Sequence, residues 1–433
     1  MQKIPNLLPE PVLTSKAAQA LPRKGSEPEV QHVENIGLEP KGTATERTDS
    51  FTRLDSFTDI ETVALVVREV KADFELTPII LDEVRPDEVL VEMKYSGICH
   101  TDIVLQQGLL PMVEFPAIFG HEGAGFVRSI GKGVRTDRFQ IGDAVLLSFN
   151  KCGHCKPCKS GHPASCLTFA EVNHNAVRVS DRTTPARTKS GQSVRSQYFG
   201  QSSFSKMSVV NEKCVVKCPF PDKLHLYAPI GCGFQTGAGT VLNVFKPTKE
   251  DALVIFGLGS VGLAALMAAK YLGAGRIIAV DIVDEKLNMA KELGATDIVN
   301  SIKHSDVVQV IKDITEGGAN YAIDCTGVLK VIETMIECLA PQGTAALVGV
   351  PPAGKKIQID PLAFLSESKK LIGVIEGDSN PVEFIPQLVE MHQAGHFPIE
   401  RLCRTYPVAK LNEAMHDLHT GQVIKPVIDW GEV

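Results

Sequence analysis

Aromatic residues are scarce in this chain, tryptophan occurs once, and basic residues do not outnumber acidic ones. The 433 residues include 44 Lys and Arg against 51 Asp and Glu, which gives a formal net charge of −7. This acidic balance argues against a nucleic acid as partner, because phosphate binding needs clustered positive charge. No uninterrupted apolar run approaches the length of a membrane span. The sequence therefore excludes nucleic-acid and membrane binding from the expected functions.

The chain also lacks a recognisable secretory signal, and its eleven cysteines are an odd number. Together these features predict a reducing, cytoplasmic location in which thiols serve as metal ligands rather than as disulfides. A chain of this length is too long for one hydrophobic core, so we expect at least two domains.

Residues 1–60 differ in composition from the rest of the chain. They hold two aromatics, Phe51 and Phe57, among six prolines and scattered charge. Such a segment buries too little apolar surface to offset its ordering entropy, so we expect a disordered N-terminal extension. Its acidic residues argue against a transit peptide, which would be rich in arginine and poor in acids.

Four closely spaced cysteines give the most specific metal signal in the sequence: Cys152, Cys155, Cys158 and Cys166. Tight turns at this spacing allow all four sulfurs to point inward and to complete a tetrahedral zinc shell, as in closed structural sites. An iron–sulfur cluster and a redox-active cysteine pair are the alternatives. We favour structural zinc.

A second candidate metal site combines residues that lie far apart in the chain. From residue 61 the sequence is rich in strand-forming patterns, and Cys99 follows one predicted strand while His121 precedes another. Cys232 lies much further downstream. Two thiols and one imidazole form the three-ligand set of a catalytic zinc, which keeps its fourth position open. Alternatively, the cysteines are small buried hydrophobes and His121 is a satisfied core histidine.

The stretch after Cys232 has the pattern of a dinucleotide-binding unit. An apolar strand leads into Gly257, Gly259 and Gly262, a helix follows, and a second strand ends at Asp281, 19 residues after the last glycine. The glycines allow close approach of a pyrophosphate to the helix N-terminus. Asp281 would bind the ribose hydroxyls and repel a 2′-phosphate, which favours NAD over NADP. Further strand–helix alternation predicts a doubly wound parallel sheet.

These motifs occur together in one known family. The chain from about residue 61 resembles the zinc-dependent medium-chain alcohol dehydrogenases. The resemblance rests on GICHTD at 97–102, GHEG at 120–123, the four cysteines, GCGFQTG at 231–237 and GLGSVG at 257–262. The segment YFGQSSF at 198–204 is similar to their aryl (benzyl) alcohol branch.

The resemblance implies an α/β protein with a β-rich, GroES-like catalytic domain and a Rossmann domain. We expect the catalytic domain at 61–232, the NAD-binding domain at 233–376 and a C-terminal return to the catalytic domain at 377–433. A homodimer or homotetramer is implied as well, and so are two zinc ions per chain.

The resemblance also implies roles around the catalytic zinc that Cys99, His121 and Cys232 would hold. Thr101 would accept the alcohol proton in a relay, and Asp102 would bind the second nitrogen of His121 and fix its tautomer. The plainer alternatives are a backbone-capping hydroxyl for Thr101 and a helix N-cap for Asp102. Glu122 corresponds to an acid that the family keeps behind the zinc.

Three basic residues are expected at the cofactor. Lys286 would contact the adenosine ribose, although a lysine on a helix surface is the alternative. His100 and Lys425 stand where relatives often place arginines that bind the pyrophosphate. Neither offers the bidentate fork of an arginine, so we expect weaker NADH binding.

The resulting hypothesis is an NAD-dependent zinc alcohol dehydrogenase that interconverts a primary, aromatic or allylic alcohol and its aldehyde. One alternative is the glutathione-dependent formaldehyde (hydroxymethylglutathione) dehydrogenase of the same family. Another is a non-catalytic NAD-binding protein of the same fold, which should have lost a zinc ligand. All three ligands are present in this chain.

Val104 occupies the position where many relatives carry a proton-relay histidine, so that route to solvent is missing. We expect protons to leave through the nicotinamide ribose hydroxyl and water instead. The variant Val104→His should therefore turn over faster at low pH, which a pH profile of kcat measures against the parent enzyme. An unchanged profile would count against this route.

Overall fold

The computed structural model describes residues 58–110, 112–135 and 137–433. The predicted disordered extension at 1–60 lies almost entirely outside the described residues. Within the described ranges, no helix is long and apolar enough to cross a membrane.

The described part of the chain forms strands and helices whose bounds are as follows. The strands are β1 (Ile60–Val67), β2 (Glu75–Leu81), β3 (Glu88–Gly97), β4 (Ala117–Ile118), β5 (Gly123–Ile130), β6 (Ala144–Leu147), β7 (Ala186–Thr188), β8 (Ser193–Val194), β9 (Met207–Asn211), β10 (Val215–Lys217), β11 (Ala252–Phe256), β12 (Arg276–Asp281), β13 (Asp297–Asn300), β14 (Ala319–Asp324), β15 (Leu339–Leu347), β16 (Lys370–Gly373), β17 (Cys403–Pro407) and β18 (Lys425–Asp429). The α-helices are α1 (His100–Gln106), α2 (Lys156–Lys159), α3 (Phe169–His174), α4 (Leu224–Tyr227), α5 (Gly233–Gly239), α6 (Ser260–Leu272), α7 (Asp284–Leu293), α8 (Val307–Ile314), α9 (Leu329–Glu337), α10 (Pro361–Ser366), α11 (Pro381–Gln393) and α12 (Leu411–Thr420).

Two sheets build the β-rich part of the chain. One has the strand order β4-β1-β2-β7-β8, and the other has the order β10-β6-β5-β3-β18-β17 with β9 also paired to β3. The buried apolar side chains of both sheets meet in one core, which includes Leu65, Val91 and Val127. Because β3 lies centrally and pairs with β5, β9 and β18, the turn that follows it has a fixed position.

The third sheet is parallel throughout, in the order β13-β12-β11-β14-β15-β16. Its central strand β11 is buried along its whole length, as expected for a sheet covered by helices on both faces. The strands β11, β12 and β13 follow one another from the middle of the sheet to one edge. The strands β14, β15 and β16 follow one another from β11 to the other edge. The change of direction beside β11 creates the crevice where nucleotides bind in such folds.

The C-terminal strand β18 pairs antiparallel with β3, Val427 opposite Gly97. The amide of Ile98 donates to the carbonyl of Pro426 at 3.0 Å, so the last strand supports the residue just before Cys99. Trp430 follows β18 and is fully buried, and its indole Nε1 donates to the hydroxyl of Ser96 at 3.0 Å.

Truncating the Trp430 side chain should destabilise the β-rich core. We expect Trp430→Ala to lower the free energy of unfolding by about 3–5 kcal/mol, because it leaves a large cavity and removes the indole hydrogen bond to the Ser96 hydroxyl. Urea denaturation followed by circular dichroism measures the loss. Ile302→Ala is the control, since Ile302 is 73% exposed. Equal midpoints for the two variants would show that the C-terminal strand does not support the core.

Candidate functional site

The four predicted cysteines form one compact lobe. Cys152 precedes the short helix α2, Cys155 is its N-cap, Cys158 lies within it and Cys166 ends the 3₁₀ turn Pro163–Ser165. All four sulfurs lie within 4.8 Å of one another. The Sγ–Sγ distances are 4.0 Å from Cys152 to Cys158 and 3.9 Å from Cys155 to Cys166. Tetrahedral zinc with Zn–S bonds of about 2.3 Å requires sulfur–sulfur edges of about 3.8 Å.

Backbone amides prepare this lobe for a cation. The amide of Cys155 donates to Cys152 Sγ at 3.3 Å, and the amide of Cys152 donates to Cys166 Sγ at 3.4 Å. Although desolvation opposes it, amide hydrogen bonds from His154 and Cys155 lower the pKa of Cys152 to about 6. Burial raises the pKa of Cys158 to about 12, so the fit to a closed four-sulfur zinc site rests on the sulfur separations and on the amides that two of the sulfurs accept.

The second cluster brings together three distant segments. Cys99 is the N-cap of α1 just after β3, His121 lies between β4 and β5, and Cys232 is the N-cap of α5. The two sulfurs and an imidazole nitrogen all lie within 4.8 Å of one another. His121 and Cys232 are buried, whereas Cys99 is partly exposed. Two thiols and one imidazole fit a three-ligand zinc site with an open fourth position.

Asp102 orients two of these groups at once. Its Oδ1 lies 3.1 Å from His121 Nδ1 and accepts from the amide of Gly120 at 3.0 Å, while its Oδ2 accepts from the amide of Cys99 at 3.1 Å. Nδ1 of His121 is thus engaged, and Nε2 is the nitrogen left for a metal. Asp102 is not the N-cap of α1, which is Cys99; it lies at the third helical position and accepts from the amide of that N-cap.

The protonation of the cluster follows from its close contacts. A hydrogen bond with the Cys232 thiol is the largest effect on Cys99 and holds the pKa of Cys99 well below the usual thiol value. The same contact raises the pKa of Cys232. For His121, burial opposes ionisation, but Asp102 and the Cys99 sulfur raise its pKa well above the usual value. The ionised form of Cys99 and the protonated form of His121 are therefore favoured together.

Glu122 and Lys425 form a fully buried ion pair behind the cluster. Lys425 Nζ lies 2.9 Å and 3.0 Å from the two carboxylate oxygens of Glu122, and it also donates to the carbonyl of Ile98 at 3.1 Å. The amide of Gly233 donates to Glu122 Oε1 at 3.1 Å. Burial raises the pKa of Glu122, whereas the pKa of Lys425 is raised by Glu122 against the effect of its own burial. The pair ties the residues beside Cys99 and Cys232 to one another.

A cleft of about 400 Å³ opens in front of the metal cluster. Ile98, Val104, Leu110 and Phe199 give it a largely apolar wall. Residues 259–261 of the glycine-rich loop also line it. The cleft therefore joins the candidate metal site to the candidate nucleotide site.

The same cleft is lined by His100, Thr101 and Val104, which follow the candidate ligand Cys99 in the chain. Thr101 Oγ1 lies 3.6 Å from Cys99 Sγ, so the hydroxyl is beside the metal ligands. His100 is the first residue of α1 and is exposed. Lys425 also lines the cleft, with its ammonium engaged by Glu122.

The glycine-rich loop has the backbone that its motif requires. Gly257 adopts φ +89°, and a Cβ at Gly262 would lie 1.9 Å from the carbonyl oxygen of Gly257. Asp281, at the end of β12, accepts from the amides of Leu258 at 2.7 Å, Ile282 at 2.7 Å and Val283 at 3.0 Å. Gly259 is the N-cap of α6.

Lys286 lies in the first half of α7 and is partly exposed. Its Cε lies 3.6 Å from the position that a Cβ on Gly421 would occupy. The side chain of Lys286 therefore extends from α7 toward Gly421, in the turn after α12.

Among the cleft residues that were not predicted as site residues are His174, Tyr198, Phe199 and Glu376. The Phe199 ring centroid lies 4.9 Å from that of His121, and the Tyr198 centroid lies 5.6 Å from it. Burial raises the pKa of Glu376 to about 7, and Glu376 Oε1 lies 3.6 Å from Cys232 Sγ. The motif at 198–204 was the one available signal for the aromatic pair, and no motif indicated Glu376.

Fold and site together define an oxidoreductase with a GroES-like domain, a Rossmann domain and a zinc-type ligand set at the cleft between them. Residues 85–220 match the family described as the alcohol dehydrogenase GroES-like domain, and residues 260–393 match the zinc-binding dehydrogenase family. Geraniol dehydrogenase of Castellaniella defragrans is 38% identical over 369 residues, covering 85% of this chain and 98% of that protein. The chain belongs to the zinc-dependent medium-chain alcohol dehydrogenases.

Two solved structures support the same conclusion. An alcohol dehydrogenase zinc-binding domain protein from Burkholderia ambifaria is 40% identical with a TM-score of 0.82. Benzyl alcohol dehydrogenase from Acinetobacter calcoaceticus is 38% identical with a TM-score of 0.81. Each match covers 86% of this chain and 99% of the other. The predictions of family and fold class are confirmed.

The buried pair predicts an asymmetric response to substitution. Lys425→Met should lower the free energy of unfolding by about 3–5 kcal/mol, because the Glu122 carboxylate would be left buried without its counter-ion. The double variant Glu122→Gln/Lys425→Met should lose less of the free energy of unfolding than Lys425→Met alone. Urea denaturation of the parent, both single variants and the double variant measures the coupling. Additive losses would show that the two side chains stabilise the fold independently.

Proposed function

We propose that this alcohol dehydrogenase binds two zinc ions per chain and uses NAD to interconvert a primary aromatic or allylic alcohol and its aldehyde. One observation carries the proposal. The ligand set Cys99, His121 and Cys232 faces an apolar cleft that the glycine-rich loop also lines. A metal and a dinucleotide held in one cleft suit hydride transfer between alcohol and nicotinamide.

The residues around the cluster have distinct roles in this proposal. When bound there, zinc acts as a Lewis acid toward the alcohol oxygen, and NAD accepts the hydride. Thr101 would relay the alcohol proton, accepting it while passing its own hydroxyl proton to the nicotinamide ribose hydroxyl and water, since its hydroxyl lies next to Cys99 in the cleft wall. Asp102 keeps the His121 ring in one tautomer and orientation. Phe199 and Val104 exclude water from the reacting atoms.

We assign NAD rather than NADP on the basis of Asp281. Its carboxylate accepts three backbone amides and still has lone pairs for ribose hydroxyls. Its negative charge at the end of β12 opposes a 2′-phosphate. In the same proposal, Gly257, Gly259 and Gly262 bring the pyrophosphate to the N-terminus of α6.

The substrate assignment rests on the cleft wall and on the relatives. Tyr198, Phe199, Leu110 and Met112 give a broad apolar surface beside the metal ligands, which suits a planar aromatic or unsaturated chain. The names of two relatives, geraniol dehydrogenase and benzyl alcohol dehydrogenase, point in the same direction.

We further propose a homodimer that forms through the edge of the parallel sheet, in the cytoplasm. The outer edge of β16 has no strand partner among the residues that the structure describes. Leu362 and Leu365 of the preceding helix α10 are 72% and 75% exposed. An open edge beside exposed apolar side chains favours association with a second copy. The cytoplasm is proposed because most of the described cysteines cluster as candidate metal ligands rather than as disulfide pairs.

The central experiment measures metal content and turnover on one preparation. We expect two zinc ions per chain by elemental analysis, and NAD⁺ reduction with geraniol and benzyl alcohol at a kcat/KM at least about tenfold above that with ethanol or hydroxymethylglutathione. Cys99→Ser should retain about one zinc and lose turnover, because the catalytic set loses a thiolate.

Cys338→Ala is the matched control, since Cys338 is a buried thiol whose Sγ contacts the Met335 carbonyl, away from the cleft. It should keep both zinc ions and full activity. A preferred reaction with hydroxymethylglutathione would replace the aryl assignment with formaldehyde oxidation. One zinc in the parent protein and no turnover with any alcohol would refute the catalytic site itself.

A further inference from the structure

The turn Glu376–Asp378 has an unusual backbone for its sequence. Its three residues have φ values of +49°, +64° and +46°, and the first and last are not glycine. L-residues with side chains rarely adopt this left-handed region, and such conformations concentrate at functional sites. The structure around the turn must therefore supply contacts that stabilise it.

The first of these contacts reaches the catalytic cluster. The Glu376 side chain is buried, with 6% of the residue exposed, and its Oε1 lies 3.6 Å from Cys232 Sγ. Its Oε2 accepts from Gln235 Nε2 at 2.9 Å, and the same nitrogen donates to the carbonyl of Gly231 at 2.6 Å. Glu376 thus constrains the third metal ligand through Gln235, which also holds Gly231, the residue before Cys232.

The other end of the turn contacts the four-cysteine lobe. Asp378 Oδ2 lies 2.8 Å from Nδ1 of His162, which stands between Cys158 and Cys166 in the chain. Lys151 Nζ, next to Cys152, donates to Asn380 Oδ1 at 2.9 Å. The two carboxylates of one turn therefore face two different metal clusters.

We propose that Glu376 is a positioning residue of the catalytic metal centre, which fixes Cys232 and raises the affinity of the Cys99–His121–Cys232 set for zinc. The inference rests on the proposed function, since it takes zinc as the metal of that set. Its physical basis is twofold. A carboxylate beside a thiolate ligand adds negative charge near the cation, and its bond to Gln235 holds the Cys232 loop in the binding geometry.

Glu376 lies beside the ligand set rather than within it. The group of donor atoms that all lie within 4.8 Å of one another contains Cys99, His121 and Cys232 and does not include a Glu376 oxygen. Glu122 forms its own pair with Lys425. Replacing Glu376 therefore changes the surroundings of Cys232 and keeps the Glu122–Lys425 ion pair.

The test compares zinc affinity in three variants of the full-length enzyme. Glu376→Gly removes the carboxylate and suits the left-handed backbone, so the turn should persist. Glu376→Gln removes the charge and keeps the length of the side chain. We expect both to weaken zinc binding at the catalytic set about 10- to 100-fold, as outer-shell changes do, with the four-cysteine zinc retained.

The matched control is Asp378→Asn, which alters the other carboxylate of the same turn without touching Cys232. It should keep the catalytic zinc affinity within about threefold of the parent value. Affinity is measured by competition with a chromophoric chelator. Cobalt exchanged into the catalytic set adds a second readout, because its visible d–d bands should shift in the two Glu376 variants and not in Asp378→Asn.

The outcomes separate this inference from the proposed function. If the parent protein holds zinc at the catalytic set and folded Glu376→Gly and Glu376→Gln bind it equally well, the positioning role is refuted and the proposed function stands. A comparable loss in Asp378→Asn would assign the effect to the turn as a whole and would also refute the role of Glu376. If the parent protein binds no zinc at this set, both proposals fail together.

Discussion

The convergence of two thiols and one imidazole from three distant segments is the constraint on which the structure depends. Cys99, His121 and Cys232 must bring their donor atoms within 4.8 Å, although more than 130 residues separate the first from the last. Burying such polar and ionisable groups away from water destabilises the fold unless each is paired with a fixed neighbour. Asp102 supports His121 and the amide of Cys99, while the Glu122–Lys425 pair supports the backbone beside the two cysteines.

The position of Cys232 connects this cluster to the nucleotide-binding sheet. Cys232 caps α5, and α5 packs so closely on α6 that a Cβ on Gly237 would lie 1.9 Å from the carbonyl oxygen of Val261. The helix α6 begins at the glycine-rich loop. The distance between the metal ligands and the cofactor loop is therefore set by a helix contact that only glycine allows, and hydride transfer needs such a fixed separation.

Much of this site could be predicted because its chemistry is local in sequence. The four-cysteine lobe spans 15 residues, and the glycine-rich loop with Asp281 forms one strand–turn–helix unit, so spacing alone indicates their geometry. Lys425 is different. Sequence reasoning assigned it to the cofactor, and the structure places its ammonium on Glu122, 303 residues away. A buried ion pair across that distance leaves no local pattern.

The sequence by itself determined the elements whose physics is short-range: the thiol spacing, the strand and helix periods, and the glycines that a dinucleotide loop requires. Only the tertiary structure decided what surrounds the metal ligands, because those neighbours come from elements brought together by sheet pairing and core packing. Tyr198 and Phe199 reach His121 from one segment, and Glu376 reaches Cys232 from another. Their roles follow from contacts across the core, where distance in the chain carries no information about distance in space.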